Sequence, residues 1–192
     1  MIRPTEAYVS SNLFEAGIGH VVVARFRGIG DAEIGVFLLD VFCLGVKDAF
    51  YTRTTQAEYD LNVLERIIPA ANRKPLDPPS ARKLVEGAAA YAQSLGLAPH
   101  PDYKQGCRVF GGIKTSDSNA TFVFGKDGKP FYMQGPHDSF AKCLRIMNQL
   151  RTRCGKDGFN FLVLANDAQN QELERAGFEV RQKVPVPPSE ME

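Results

Sequence analysis

The longest strongly apolar run in the chain is Glu33–Tyr51, EIGVFLLDVFCLGVKDAFY, and it carries an ionisable residue, Asp40, near its middle. In an extended backbone, side chains alternate between faces. Ile34, Val36, Leu38, Asp40, Phe42 and Leu44 then share one face, and Phe37, Leu39, Val41 and Cys43 the other. Both faces are apolar, which predicts a central strand covered on both sides. Asp48 has the parity of Asp40, but eight residues of unbroken strand hold them about 26 Å apart. The two carboxylates meet only if the strand breaks, and Gly45 is the residue at which it can.

The flanking patterns predict the remaining elements. Residues 1–18 are weakly patterned and read as a poorly specified arm. His20–Arg27 reads as a strand from its valine triplet, and Gly28-Ile29-Gly30-Asp31 turns it into an antiparallel hairpin with the apolar run. Thr55 and Glu58 have capping-box spacing, opening a helix with Leu61, Leu64, Ile67 and Ile68 as its buried stripe. After a proline-rich connection, Asp77 or Ser80 caps a second helix running to about Leu95. It buries Leu84, Val85, Ala88, Ala92 and Leu95, and Gly96 closes it. Its three consecutive alanines predict close packing against a neighbour. Arg108–Phe110 reads as a short strand. Thr121–Phe124 and Pro130–Met133 read as a hairpin about Asp127-Gly128. A helix from Pro136 or Asp138 to about Arg153 buries Phe140, Cys143, Leu144, Met147 and Leu150. Phe159–Ala165 reads as a buried strand, Asp167–Ala176 as a short helix closed by Gly177, and Phe178–Val180 as a last strand. The predicted order is β-β-α-α-β-β-β-α-β-α-β. That defines an α/β or α+β fold, a single mixed, largely antiparallel sheet flanked by helices. Residues 1–183 form one globular domain on this reading, and 184–192 a disordered tail.

Composition narrows the function classes. The chain has 192 residues, enough for a well-buried core. Its 23 basic and 22 acidic residues leave a net charge of +1, which excludes a surface that is a nucleic-acid footprint throughout but leaves room for a local basic patch. No apolar run is long enough for a membrane span and no secretory pattern opens the chain, so a cytoplasmic protein with no membrane partner is expected. Cys43, Cys107, Cys143 and Cys154 lack metal-ligand spacing and are expected to be free thiols.

Five places carry candidate chemistry. Asp40 lies where an ionised carboxylate is costly unless paired. It is therefore either a satisfied structural group or a catalytic or metal-ligating residue on a rigid strand. Lys47 and Asp48 end that strand, where sites in such sheets gather, Lys47 as a ligand-binding and Asp48 as a catalytic candidate. His100 and Asp102 share a proline-bracketed loop and form a candidate oriented base. Gly135, His137 and Asp138 open a helix whose free N–H groups suit an anion, although the Asp138 carboxylate competes for that place. Lys142, Arg145 and Arg153 line one stripe of the helix and form the candidate nucleic-acid contact.

Two resemblances rest on particular segments. LDVFCLGVKDAFY, YAQSLGLAPHPDY and FGKDGKPFYMQGPHDS together resemble a family of uncharacterised bacterial proteins, which implies no activity. The end of the chain, from Asn166 through Leu173 to Gly177-Phe178, is similar to that of GCN5-related N-acetyltransferases. That resemblance implies an acetyl-CoA site, yet QGPHDSF stands where the family has its pyrophosphate loop. Leu173 stands where the family often has a tyrosine acid.

Three readings result. The first is a non-catalytic binding or interaction protein. The second is a metal-dependent hydrolase or nuclease centred on Asp40, with a divalent metal as cofactor. The third is an acetyltransferase-like protein using acetyl-CoA.

Overall fold

The computed structural model describes residues 3–28 and 30–180. The chain divides into two compact units, 1–128 and 129–192. The architecture is mixed α/β, as its patterning predicts.

The first unit is built on a five-stranded antiparallel sheet. Its strands are β1 (Glu6–Ser10), β2 (Ile18–Arg27), β3 (Asp31–Asp40), β4 (Gly45–Thr55) and β5 (Arg73–Leu76). Their order is β4-β3-β2-β1-β5. The expected poorly specified arm is in fact β1 followed by the short helix α1 (Leu13–Ala16). Alternating burial along Glu6–Ser10 is the strand signal, and the serines that seemed to break it stand at the strand's end.

The apolar run is not one strand but two. Gly45 adopts φ +68°, a conformation that L side chains rarely take, and closes a hairpin between β3 and β4. The run therefore supplies an inner strand, β3, and an edge strand, β4. A Cβ at Gly45 would lie 2.6 Å from the carbonyl oxygen of Ala88. The packing expected of the alanine run is thus against the hairpin. The partner helix is α4 (Pro78–Ser94), capped by Asp77, whose carboxylate accepts from Ser80 N–H.

One sheet face is covered by α4, by α5 (Tyr103–Gly106) and by the 3-10 turn Cys107–Phe110, which replaces the strand expected there. The other face packs Val22, Ala24, Phe26, Ile34 and Val36 against Tyr59, Leu64 and Ile68. Those three come from a helical segment of α2 (Gln56–Glu58), a π-turn over Tyr59–Val63, and α3 (Leu64–Ile67). Thr55 caps its start as predicted. The π-turn shifts the helical phase, so the expected stripe residue Leu61 is 74% exposed and Tyr59 is fully buried instead.

In the second unit, β6 (Phe131–Met133) and β7 (Asn160–Leu162) are parallel neighbours joined through α6 (Phe140–Cys154). Then follows α7 (Asp167–Arg175). The turn at Asp127-Gly128 forms, with φ +53° and +78°. The hairpin expected around it does not: Thr121–Phe124 is not a strand, and its aromatics go to packing. Phe122 stacks on Phe14 and Phe124 on Tyr91. Phe178–Val180 is likewise not a strand. The tail expected at 184–192 lies outside the described residues. Among the described residues no helix is long and apolar enough to cross a membrane, and all four cysteines are free thiols.

Candidate functional site

Asp40 is 2% exposed and stands at the last position of β3, where the chain turns. Its Oδ1 accepts from Cys43 N–H at 2.8 Å and Phe42 N–H at 3.1 Å, so the side chain closes the hairpin loop on itself. Burial pushes its carboxyl up to about 6, against the opposing pull of these N–H groups and of the Lys47 charge. Among the described residues no group of three or more His, Cys, Asp or Glu side chains is placed to hold a metal ion. The carboxylate serves its own loop.

Hairpin closure brings the other candidates together. The β3–β4 register slips between Leu38 and Leu39, leaving Lys47 unpaired in a bulge and setting Asp48 opposite Leu38. Leu38 is in turn opposite His20 on β2. The 99–102 loop reaches the same strand through His100 N–H, which donates to Val46 O at 2.9 Å. Asp48, His100 and Asp102 thus form one cluster, with His20 beside it. His100 Nε2 is 3.6 Å from Asp48, and Nδ1 is 4.0 Å from the Asp102 carboxylate.

The imidazole of His100 has a neighbour at each ring nitrogen. Its Nδ1 accepts the Asp102 backbone N–H at 3.3 Å. Its Nε2 faces the Asp48 carboxylate. His20 is half-buried, and burial lowers its pKa despite the Asp48 charge nearby. The hollow over His20, Leu38, Asp48 and Phe50 is only about 30 Å³, the space of a water molecule. The cluster acts as a clasp joining the loop to the edge strand.

At the start of α6 the Asp138 carboxylate takes the place proposed for an anion. Its Oδ2 accepts from Gly135 N–H at 2.9 Å and Tyr132 Oη at 3.2 Å, and its Oδ1 is 2.6 Å from Lys142 Nζ. Burial alone would raise this carboxyl, but Lys142 and the Gly135 N–H outweigh it and hold it low. Ser139, not Asp138, caps the helix. Lys142 is therefore tied down, while His137, Arg145 and Arg153 stay exposed.

A second constellation escaped the sequence reading. The Gly28–Gly30 turn sets Arg25 opposite Glu33 and Arg27 opposite Asp31, and the next hairpin sets Glu33 opposite Arg53. Three guanidinium groups then converge on one buried carboxylate. Arg25 Nε donates to Glu33 at 2.8 Å, Arg27 Nε at 3.3 Å and Arg53 Nη2 at 3.1 Å. A fourth, Arg108, lies 5.5 Å from the Tyr51 ring centroid, and its carbonyl accepts from Arg25. Tyr51 Oη accepts from Arg53 Nε. Gly111 leaves the room that Arg25 occupies, since a Cβ there would collide with the guanidinium. Burial works to raise the Glu33 carboxyl, but bonds from Arg25, Tyr51 and Arg27 bring it down to about 2. Glu33 is therefore ionised and enclosed, with 8% of its side chain exposed, whereas Arg27 and Arg53 are 58% and 69% exposed. Only the strand register shows this grouping. From the sequence, Arg25, Arg27 and Arg53 are simply polar positions on strands.

Comparison with protein-family models, curated proteins and solved structures returned no significant match.

Proposed function

We propose that the protein is a non-catalytic binding domain whose partner is a nucleic-acid phosphate backbone, held on the surface formed by Arg25, Arg27, Arg53 and Arg108. The observation that carries this reading is the convergence of three guanidinium groups on one enclosed glutamate, with a fourth arginine, Arg108, over the neighbouring Tyr51 ring. Glu33 fixes three of these guanidinium groups in advance, so little of their side-chain entropy is lost when a phosphate arrives. Four guanidinium charges against the carboxylates of Glu33 and Asp31 leave an excess of two. Guanidinium is the group suited to phosphate oxygens, and Tyr51 adds an aromatic surface to which a base can stack. The small net charge of the whole chain, +1, fits a local patch of this kind. Asp40, Asp138 and the His100 cluster each serve the fold, which supports binding over catalysis.

Fluorescence anisotropy with a labelled single-stranded oligonucleotide tests the reading. Binding should weaken with salt, each phosphate contact adding about −0.7 to the slope of log K against log salt. Arg27→Ala and Arg53→Ala should each flatten that slope by roughly one contact. Equal affinity and slope for wild type and both variants would sink the proposal.

A further inference from the structure

We infer that the outer edge of β7 is a docking site for an extended, acidic peptide segment of a partner protein, taken up as an added strand. This inference is independent of the arginine surface. In the parallel pair, Asn160 N–H donates to Pro130 O and Leu162 O accepts from Gln134 N–H. Even-numbered residues of β7 therefore turn their backbone groups toward β6. Phe161 and Val163 turn theirs away, and among the described residues these groups have no partner. A strand edge left in this state is a template for another strand.

A cleft of about 300 Å³ runs beside that edge, lined by every residue from Phe159 to Ala165. Side chains of a strand alternate, so a cleft touching all three residues of β7 and the chain on both sides of it follows the strand's edge rather than either face. Its far wall comes from Leu173 and Gly177–Val180. Leu162 and Leu164, 55% and 59% exposed, flank it and offer apolar contact to alternate side chains of an added strand. The cleft is bordered by Lys129, Arg151 and Lys156 against Asp157 and Glu179, a cationic excess that favours an acidic segment. Arg151 is held in place over Phe178, 4.6 Å from the ring centroid, and donates to Ala176 O.

Selection of a displayed library of random nine-residue segments on the full chain, followed by hydrogen exchange, tests the inference. Enriched segments should carry more Asp and Glu than Lys and Arg. A bound segment should slow exchange at the Phe161 and Val163 amides, and N-methylation at alternate peptide bonds should weaken it roughly tenfold. Lys156→Glu should weaken it as well. The inference is overturned by no enrichment, by enrichment of basic segments, or by an N-methylated segment that binds equally well. It is also overturned if both amides are already protected in the free chain, because the chain's own residues or a second copy would then cover the edge. None of these outcomes touches oligonucleotide binding, so the two sites stand or fall separately.

Discussion

Replacing Asp40 by asparagine tests whether burial outweighs the loop hydrogen bonds in setting the energy of this carboxylate. Its carboxyl is displaced from 3.8 to about 6 on folding, with burial the largest cause. A carboxyl whose folded pKa is raised binds its proton more tightly in the native state. Stability must then fall as pH rises from about 4 to about 6, and the loss persists above that window. A displacement of this size corresponds to about 3 kcal/mol. The asparagine amide would keep an oxygen for the Phe42 and Cys43 N–H groups but has no charge to desolvate. The stability of Asp40→Asn relative to wild type should therefore climb by about 3 kcal/mol between pH 4 and pH 8. Urea unfolding of both proteins across that range reads the difference, and taking the difference cancels the titration of every other group. A relative change of the opposite sign would refute the reasoning. It would mean that the loop N–H groups and Lys47 stabilise the carboxylate more than burial penalises it.

Other substitutions probe the features that position the sites. Gly45→Ala combines a positive φ with a collision against Ala88 and should lower unfolding free energy by more than about 2 kcal/mol, read by urea titration. Tyr59→Ala should cost about 3–5 kcal/mol while Leu61→Ala costs nearly nothing, because the π-turn buries the first and exposes the second. Equal effects would contradict the shifted helical phase. Glu33→Gln should flatten the acid limb of stability. The folded carboxyl is depressed from 4.5 to about 2, so its contribution is present above pH 4.5 and lost as pH falls toward 2. Ser139→Ala should remove about 1 kcal/mol by leaving an N–H of α6 uncapped, measurable as a lower urea midpoint.

Elements with local signals are legible in the sequence: the valine-rich β2, the caps of α2 and α4, and the ends of α6 and α7 at Gly155 and Gly177. The fold class follows from those elements. Glu33–Tyr51 misleads because an apolar run shows no internal break when a hairpin loop is itself apolar. Val41, Phe42 and Cys43 are all buried, so only Gly45 marks the turn. Reading the run as one strand also hides the site geometry. An unbroken strand holds Asp48 far from Asp40, whereas the bulge at Lys47 sets Asp48 beside His100. The arginine grouping depends on two strand registers at once, which no local pattern encodes. Parallel pairing of β6 with β7 is equally non-local, and the strong Asp-Gly turn signal points to the wrong partner.

The most direct test of the binding account is to titrate a short single-stranded oligonucleotide into the isotopically labelled full chain at low salt and map the backbone amide shifts. Shifts are expected at Arg25, Arg27, Tyr51, Arg53 and Arg108, reversed by added salt. Shifts confined to α6 at Lys142, Arg145 and Arg153, or to the Asp48–His100 cluster, would contradict it, as would no shift at all.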